Sequence, residues 1–269
     1  MTLSLLTDEL VPSAPNRPLP VRLEIVPTAD ILPKVATILP KGSTVTVTCL
    51  PHHGIEATVE ASVRLAALGY GVVPHLAARS VGDRARFARV LRRLEAAGIT
   101  EVFAVGGDAA HPAGPYGNAL ELMEDIADVS GGRLAIGVAG YPEGHPKHGA
   151  VDLLDALLAK QHLAANVVTQ MCFSAAAIGA YVALLRTEGV ELPVWAGVTG
   201  PIARAKLLSL AAKIGVGPSL KFISRRGPLA RRFLRGESYS AEALVRDLAA
   251  PRVGIAGIHQ FTFNDLTRP

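Results

Sequence analysis

Several polar side chains that could do chemistry in this 269-residue chain directly follow short apolar runs. In TEVFAVGGDAAHPAGPYG, from Thr100 to Gly117, Asp108 comes after a run of strand character and opens a loop rich in Gly and Pro. The α/β proteins place their chemistry at the carboxyl ends of strands, because the strand positions a side chain while the next loop shapes a pocket around it. Asp108 is therefore either a site residue or an Asp that caps its loop.

Other apolar runs contain or end in polar residues, and each of these has a structural alternative such as an ion pair, a core histidine or a strand cap. Glu24 is the most informative, because it lies in VRLEIVP between Leu23 and Ile25, and carboxylates are rarely buried without a partner or a purpose. A carboxyl group in an apolar pocket is a candidate general acid at neutral pH. The remaining candidates are Thr48, His75, Tyr141 with Glu143 and His145, Gln170, and the region of Asn264.

Metal binding is not expected from the sequence. His52, His53, His145 and His148 offer imidazoles, but no carboxylate or cysteine completes a recognised zinc spacing around them. We therefore predict no metal site.

Nucleophilic catalysis and a Rossmann-type dinucleotide site are also not supported. The chain has no GxSxG motif, and Cys49 and Cys172 have no base that can be identified from the sequence. The Gly106-Gly107 pair does not form a GxGxxG fingerprint. Two cysteines are too few for a disulfide framework, so we expect both thiols to be reduced and buried.

Short runs rich in Val and Ile alternate with helical patterns, which favours parallel βαβ units. Eight such repeats fit a (β/α)8 TIM barrel, as a single domain over residues 21–269 after an N-terminal arm of residues 1–20, better than an open doubly wound sheet. The predicted strands are Val21–Pro27, Thr44–Leu50, Gly71–Leu76, Glu101–Asp108, Leu134–Tyr141, Asn166–Phe173, Val194–Thr199 and Val253–Thr262. The clearest predicted helices are Glu56–Leu68, Val81–Ala97, Ala119–Val129, Val151–Leu163 and Ala175–Glu188, and Gly69, Gly98 and Gly189 are predicted to end helices.

The composition is that of a folded protein, with 49% apolar and 19% charged residues. No apolar run reaches the ~20 residues that a membrane span needs, and the N-terminus lacks a signal-peptide pattern. A cytoplasmic location without membrane contact is the expectation. The net charge is +4, and much of the excess lies in a basic cluster between Lys221 and Arg235. No recognised nucleic-acid-binding module with interleaved aromatic residues accompanies that cluster, so a solvated surface or a site for an anionic small molecule is favoured over nucleic acid.

The order of these motifs resembles the methylenetetrahydrofolate reductase family. The motifs are LEIVP around Glu24, VTC at Thr48, PHL at His75, GGD at Asp108, YPEGHP from Tyr141, VTQMCF at Gln170, and HQFTFND from His259 to Asp265. The resemblance implies a (β/α)8 barrel that reduces 5,10-methylenetetrahydrofolate to 5-methyltetrahydrofolate with NADH or NADPH. It also implies that Glu24 is the acid that opens the methylene bridge, that Asp108 stabilises the resulting cation, and that Asp108 and Gln170 bind the pterin. The implied cofactor-binding residues are Thr48, His75, Tyr141, His145 and Asp152.

The chain departs from the family's flavin-binding pattern. In that pattern an Arg-Gly-Asp motif ends the fourth strand, and the helix after the fifth strand carries an Asp followed by an Asn and a Lys. Here the Arg position is Gly106, and the helix provides Asp152, Asp155 and Ala159. Two cations that would contact a flavin pyrophosphate are missing, so we expect no tightly bound FAD and direct hydride transfer from the nicotinamide. The alternatives are the same reaction through bound FAD and a folate-binding protein without turnover.

Overall fold

Eight parallel strands close into a barrel in the part of the chain that the computed structural model describes, which is residues 18–203, 238–250 and 253–266. The barrel strands are β1 (Val21–Ile25), β2 (Thr44–Val47), β3 (Gly71–Ala77), β4 (Glu101–Val105), β5 (Ala135–Gly140), β6 (Asn166–Thr169), β7 (Val194–Thr199) and β10 (Gly257–Phe261). Their order around the barrel is β1-β10-β7-β6-β5-β4-β3-β2. The predicted single-domain (β/α)8 barrel is confirmed.

The helices alternate with the strands as predicted. They are α1 (Ile31–Ile38), α2 (Gly54–Ala67), α3 (Arg84–Ala96), α4 (Ala119–Ser130), α5 (Ala150–Lys160), α6 (Ala175–Thr187) and α7 (Glu242–Leu248), with a 3-10 turn at Ala78–Ser80. No described helix is both long enough and apolar enough to cross a membrane.

Capping residues determine where several helices begin and end. The side chains of Asp83, Asn118 and Ser174 accept hydrogen bonds from the first-turn amides of α3, α4 and α6. The cap at Asp83 explains why α3 begins at Arg84 rather than at the predicted Val81. The glycines predicted to end helices, Gly69, Gly98 and Gly189, all have positive φ angles.

Two elements were missed by the sequence analysis. Helix α1 is short and has Pro33 in its first turn, which a helix tolerates there but which weakens the sequence pattern. The second element is a small antiparallel pair, β8 (Ile202–Ala203) with β9 (Ser238–Tyr239). The basic cluster from Lys221 to Arg235 and residues 1–17 of the predicted N-terminal arm lie outside the described residues.

Side chains alternate along each strand between the helix layer and the barrel interior. Outward-facing residues such as Ile25 and Val102 belong to the large apolar core beneath the helices. Val73, Phe103 and Val168 form a separate small cluster, which the alternation places inside the barrel. By the same alternation Glu24, whose neighbour Ile25 faces outward, points into the barrel.

Candidate active site

Glu24 lies at the centre of a buried polar cluster inside the barrel. Its Oε2 is 3.0 Å from Nε2 of His259 on β10 and 3.8 Å from Nε2 of His75 on β3. The side chains of Glu24, His75 and His259 are 15%, 9% and 2% exposed. Strand β1 pairs directly with β10, and β2 separates β1 from β3. Closure of the barrel therefore brings the three residues together.

The backbone at Glu24 is held from the C-terminal end of the described chain. The hydroxyl of Thr262 donates a 2.6 Å hydrogen bond to the carbonyl oxygen of Glu24. Asn264 continues this contact, because its side chain both accepts from the amide of Val26 at 2.8 Å and donates to the carbonyl of Val26 at 2.9 Å. Asn264 has φ 62°, a left-handed conformation that Asn adopts more readily than most residues. The loop after β1 is therefore joined to the segment after β10.

His75 is neutral at neutral pH. Burial lowers the pKa of His75 from 6.5 to about 4; the charge of Glu24 opposes this shift, and His259 adds to it. The ring packs against Phe103, with 4.7 Å between centroids, and its buried Nε2 has no hydrogen-bond partner among the described residues.

The cluster has the chemical composition of a metal site that was not expected from the sequence. Of the residues described, only Glu24, His75 and His259 form a group of three His, Cys, Asp or Glu ligand atoms within 4.8 Å of one another. A metal-ligating histidine normally donates its other ring nitrogen to an acceptor, but Nδ1 of His259 is buried and has no such acceptor in the described structure. The donor set could hold a zinc-like ion, but it lacks this outer support.

Asp108, Tyr141 and His145 form a second group at the ends of β4 and β5. Asp108 is exposed, and strand β4 ends before it, at Val105, because Gly107 leaves the sheet with φ 88°. Burial raises the pKa of Tyr141, and the charge of Asp108 raises it further. The rings of Tyr141 and His145 meet edge to face at 5.2 Å. Burial lowers the pKa of His145, and Asp108 opposes this shift, so the three side chains interact electrostatically.

Two of the remaining predicted residues retain polar atoms for a ligand. Gln170 follows β6 directly, and its Oε1 accepts from the amide of Met171 at 2.8 Å. The side-chain nitrogen of Gln170 has no partner within the described structure. The buried hydroxyl of Thr48 also has none there. Asp152 differs, because it is exposed on α5 and its Oδ2 accepts a hydrogen bond from the amide of Gly149 at 3.2 Å. The side chain of Asp152 therefore caps the helix. It contacts none of the other predicted site residues.

The structure adds two residues that the sequence analysis did not assign. His259 is the first: it begins the HQFTFND motif and belongs to the inward-facing pattern Gly257, His259, Phe261 along the last strand, but the sequence analysis gave it no role. Arg79 is the second: its amide donates to the carbonyl of Gly106 at 3.0 Å, its Nη2 donates to the carbonyl of Ala110 at 2.9 Å, and its buried Nε has no partner among described residues. The backbone of Arg79 thus contacts the glycine that replaces the family's arginine, while its guanidinium binds the loop that follows Asp108.

Comparisons with known proteins identify the family of this chain. A family model described as methylenetetrahydrofolate reductase matches residues 28–231. A curated relative, methylenetetrahydrofolate reductase 2 of Saccharomyces cerevisiae, is 29% identical over 143 residues, which are 49% of this chain and 24% of the yeast protein. The chain thus matches about a quarter of the length of that relative.

The solved structures of similar fold that are described below are named as enzymes other than methylenetetrahydrofolate reductase. Oxaloacetate acetylhydrolase has a TM-score of 0.57 at 12% identity, covering 91% of this chain and 76% of the other. A putative lyase/mutase from Burkholderia cenocepacia J2315 has a TM-score of 0.52 at 16% identity, covering 91% and 77%. At such identities the likeness shows the barrel fold alone.

Proposed function

Because the chain belongs to the methylenetetrahydrofolate reductase family, we propose that it reduces 5,10-methylenetetrahydrofolate to 5-methyltetrahydrofolate with hydride from NADH or NADPH. The observation that supports this most is the buried carboxyl group of Glu24 between two histidines inside the barrel. A proton and a hydride are consumed together, and the nicotinamide is oxidised as the methylene carbon is reduced.

Glu24 is the acid in this proposal. Its proton goes to the folate nitrogen N10, the bond between N10 and the methylene carbon breaks, and an iminium cation remains at N5. Hydride then adds to the iminium carbon and gives the methyl group. The buried position of Glu24, with 15% of its side chain exposed, limits access of water to the group that must keep a proton for the substrate.

Asp108 and Gln170 have the chemistry to bind the pterin and its charge. The carboxylate of Asp108 is not engaged in an ion pair within the described residues, so it can face the positive iminium. The amide of Gln170 has its nitrogen available as a donor. The residues that we propose for contact with the dinucleotide are Thr48, His75, Tyr141 and His145. Thr48 and Tyr141 directly follow β2 and β5, His75 lies within β3, and His145 lies in the loop after β5.

The residues at the family's flavin positions do not fit a flavin pyrophosphate. Gly106 provides no side chain, Asp155 and Ala159 are exposed on α5, and Asp152 caps that helix. Lys160 is half-buried, and burial lowers its pKa, so this neighbouring lysine is a poor substitute for an exposed cation. We therefore propose that hydride passes directly from nicotinamide to folate, with no step through FAD.

The test combines colour with turnover. The purified protein is examined for the visible absorbance bands of flavin and assayed for NADH and NADPH oxidation that depends on methylenetetrahydrofolate. We expect colourless protein with folate-dependent oxidation. A stoichiometric yellow cofactor would support the same reaction through FAD, whereas tight folate binding without oxidation of either nucleotide would indicate a non-catalytic binding protein.

A further inference from the structure

We infer that His259 is a positioning residue for Glu24: it binds Oε2 of the carboxyl group, so that Oε1 is the oxygen that delivers the proton to the substrate nitrogen. This inference rests on the proposed function. It concerns a residue of the last strand that contacts the acid.

The two oxygens of Glu24 have different surroundings. Oε2 is 3.0 Å from Nε2 of His259 and is also the oxygen that faces His75, at 3.8 Å. Oε1 makes no hydrogen bond with any described residue. A proton on Oε1 is therefore the one that is not already shared with a protein group.

The buried environment of His259 determines which of its nitrogens carries the proton. Nδ1 is buried and has no hydrogen-bond partner among the residues described. A buried N–H without an acceptor is rarer in proteins than an acceptor without a donor, so the proton belongs on Nε2. In this tautomer His259 donates to Oε2, and the carboxyl group keeps its own proton on Oε1. In the opposite tautomer Glu24 would donate to His259, and its proton would be tied up in the protein.

The contact is also rigid. His259 lies within β10, and its ring packs edge to face against Phe261 with 4.9 Å between centroids. Thr262, three residues further along, donates to the carbonyl oxygen of Glu24 at 2.6 Å. One segment thus holds both the side chain and the backbone of the acid, as an accurately placed catalytic group requires.

Stability alone does not account for a histidine at this position. A buried imidazole with one unsatisfied nitrogen lowers the stability of the folded state relative to an apolar ring of similar size. Among the described residues, the one hydrogen bond of the ring goes to Glu24. The position of His259 is therefore explained by what it does to that carboxyl group.

The test compares His259→Phe with His259→Gln, because Gln keeps an N–H donor and Phe keeps only the ring volume. With an active wild type, we expect His259→Phe to lower kcat by about 10- to 100-fold and to leave the KM for folate within about twofold of the wild-type value. The His259→Gln variant should recover most of the wild-type kcat. His162→Gln, at an exposed histidine on the protein surface, is the matched control and should retain wild-type kinetics. Unchanged kcat in the Phe variant would overturn the inference.

A second measurement does not depend on the folding of the Phe variant. Nitrogen-15 NMR of the histidine rings in the whole wild-type protein reports the tautomer, with the His259 signals identified by their loss in His259→Gln. We expect the proton on Nε2, and a proton on Nδ1 would overturn the inference. A wild type that oxidises neither nucleotide in the presence of folate would instead overturn the proposed function, so the two failures are distinguishable.

Discussion

Arg22 on β1 and Glu101 on β4 form a bidentate ion pair across the barrel interior, with N–O distances of 2.6 and 3.0 Å. The two strands are not neighbours in the barrel. Asn166 donates to the same carboxylate at 2.7 Å, and the guanidinium lies 3.7 Å from the ring centre of Trp195. This network ties four strands together at the end of the barrel opposite the strand ends that carry the candidate site.

Removing the charge of Glu101 should strongly destabilise the protein. Glu101→Gln keeps the size of the side chain but leaves Arg22 without a counter-charge, and breaking a buried pair in this way costs about 3 to 5 kcal/mol. The free energy of unfolding, measured by denaturant titration, should fall by about that amount.

The matched control is Glu95→Gln. Glu95 also binds an arginine through two contacts, at 2.9 and 3.4 Å, but the side chain of this partner, Arg133, is 65% exposed. Loss of this exposed ion pair in Glu95→Gln should lower the free energy of unfolding by less than about 1 kcal/mol. Equal losses in the two variants would show that burial does not set the strength of the interior pair.

Glu24→Gln should abolish most turnover while the protein stays folded. Gln fills the same volume and can still form a hydrogen bond with His259, but it has no acidic proton to give. General acid catalysis contributes about 10²- to 10⁴-fold to the rate of a reaction, so turnover should fall by a factor in this range. Folate-dependent NAD(P)H oxidation and thermal melting are measured side by side. Glu60→Gln, at a surface carboxylate, is the control, and unchanged turnover in Glu24→Gln would remove its assigned role.

The pH dependence of stability should contain a contribution from His75. The pKa of His75 is about 4 in the folded protein against 6.5 for an ordinary histidine, so between these pH values the unfolded chain binds more protons. The free energy of unfolding therefore falls as pH is lowered through this window, by about 2 kcal/mol at pH 5, and the contribution of His75 disappears well above pH 6.5. Glu24 and His259 are the titratable groups that face this ring.

Unfolding measurements between pH 7 and pH 4 check this contribution. His75→Asn should lose less stability over that range than the wild type, whatever its stability at pH 7. His162→Asn, at an exposed position, should keep the wild-type pH dependence. A parallel pH profile for His75→Asn and wild type would contradict the prediction.

Restoring the two missing cations should increase flavin affinity. At Gly106 an added Cβ meets nothing within 4 Å, so the first side-chain carbon of Gly106→Arg has space. Ala159→Lys is at an exposed position on α5. Each charge-assisted contact to a phosphate contributes about 1.5 kcal/mol or more, which is about tenfold in Kd. Flavin fluorescence quenching gives the Kd.

Ala156→Lys is the control for added positive charge at a different position, because Ala156 is also exposed and lies on the same helix. Gly106→Arg with Ala156→Lys should bind FAD more weakly than Gly106→Arg with Ala159→Lys. If both pairs bind FAD equally, the gain comes from net charge, and the positions of the family pattern do not matter.

Much of the fold could be predicted because its signals are local. Parallel strands buried on both faces produce continuous apolar runs, and all eight predicted strands overlap the barrel strands of the structure. The errors also have local causes: Pro33 obscured α1, Asp83 starts α3 later than predicted, and Gly107 ends β4 before Asp108. The predicted roles of Asp108, Gln170 and Asp152 stay predictions.

The polar residues within and after the strands were also identifiable from the sequence alone. Glu24, Thr48, His75 and Gln170 were found because a polar group in or after an apolar run is visible without any knowledge of its neighbours. The partners of these residues were not visible. Glu24 and His259 are separated by 235 positions in the chain, and neither residue has a local motif that specifies the other.

Only the closed barrel decided which polar groups meet. Closure places β1 beside β10, which brings His259 to Glu24, and it lets Arg22 reach Glu101 across the interior. Apolar periodicity specifies which face of a strand is buried, but the register between distant strands follows from the packing of the whole barrel. The sequence therefore determined the barrel and its candidate acid, whereas tertiary structure determined the hydrogen-bond partner of that acid and the ion pair across the interior.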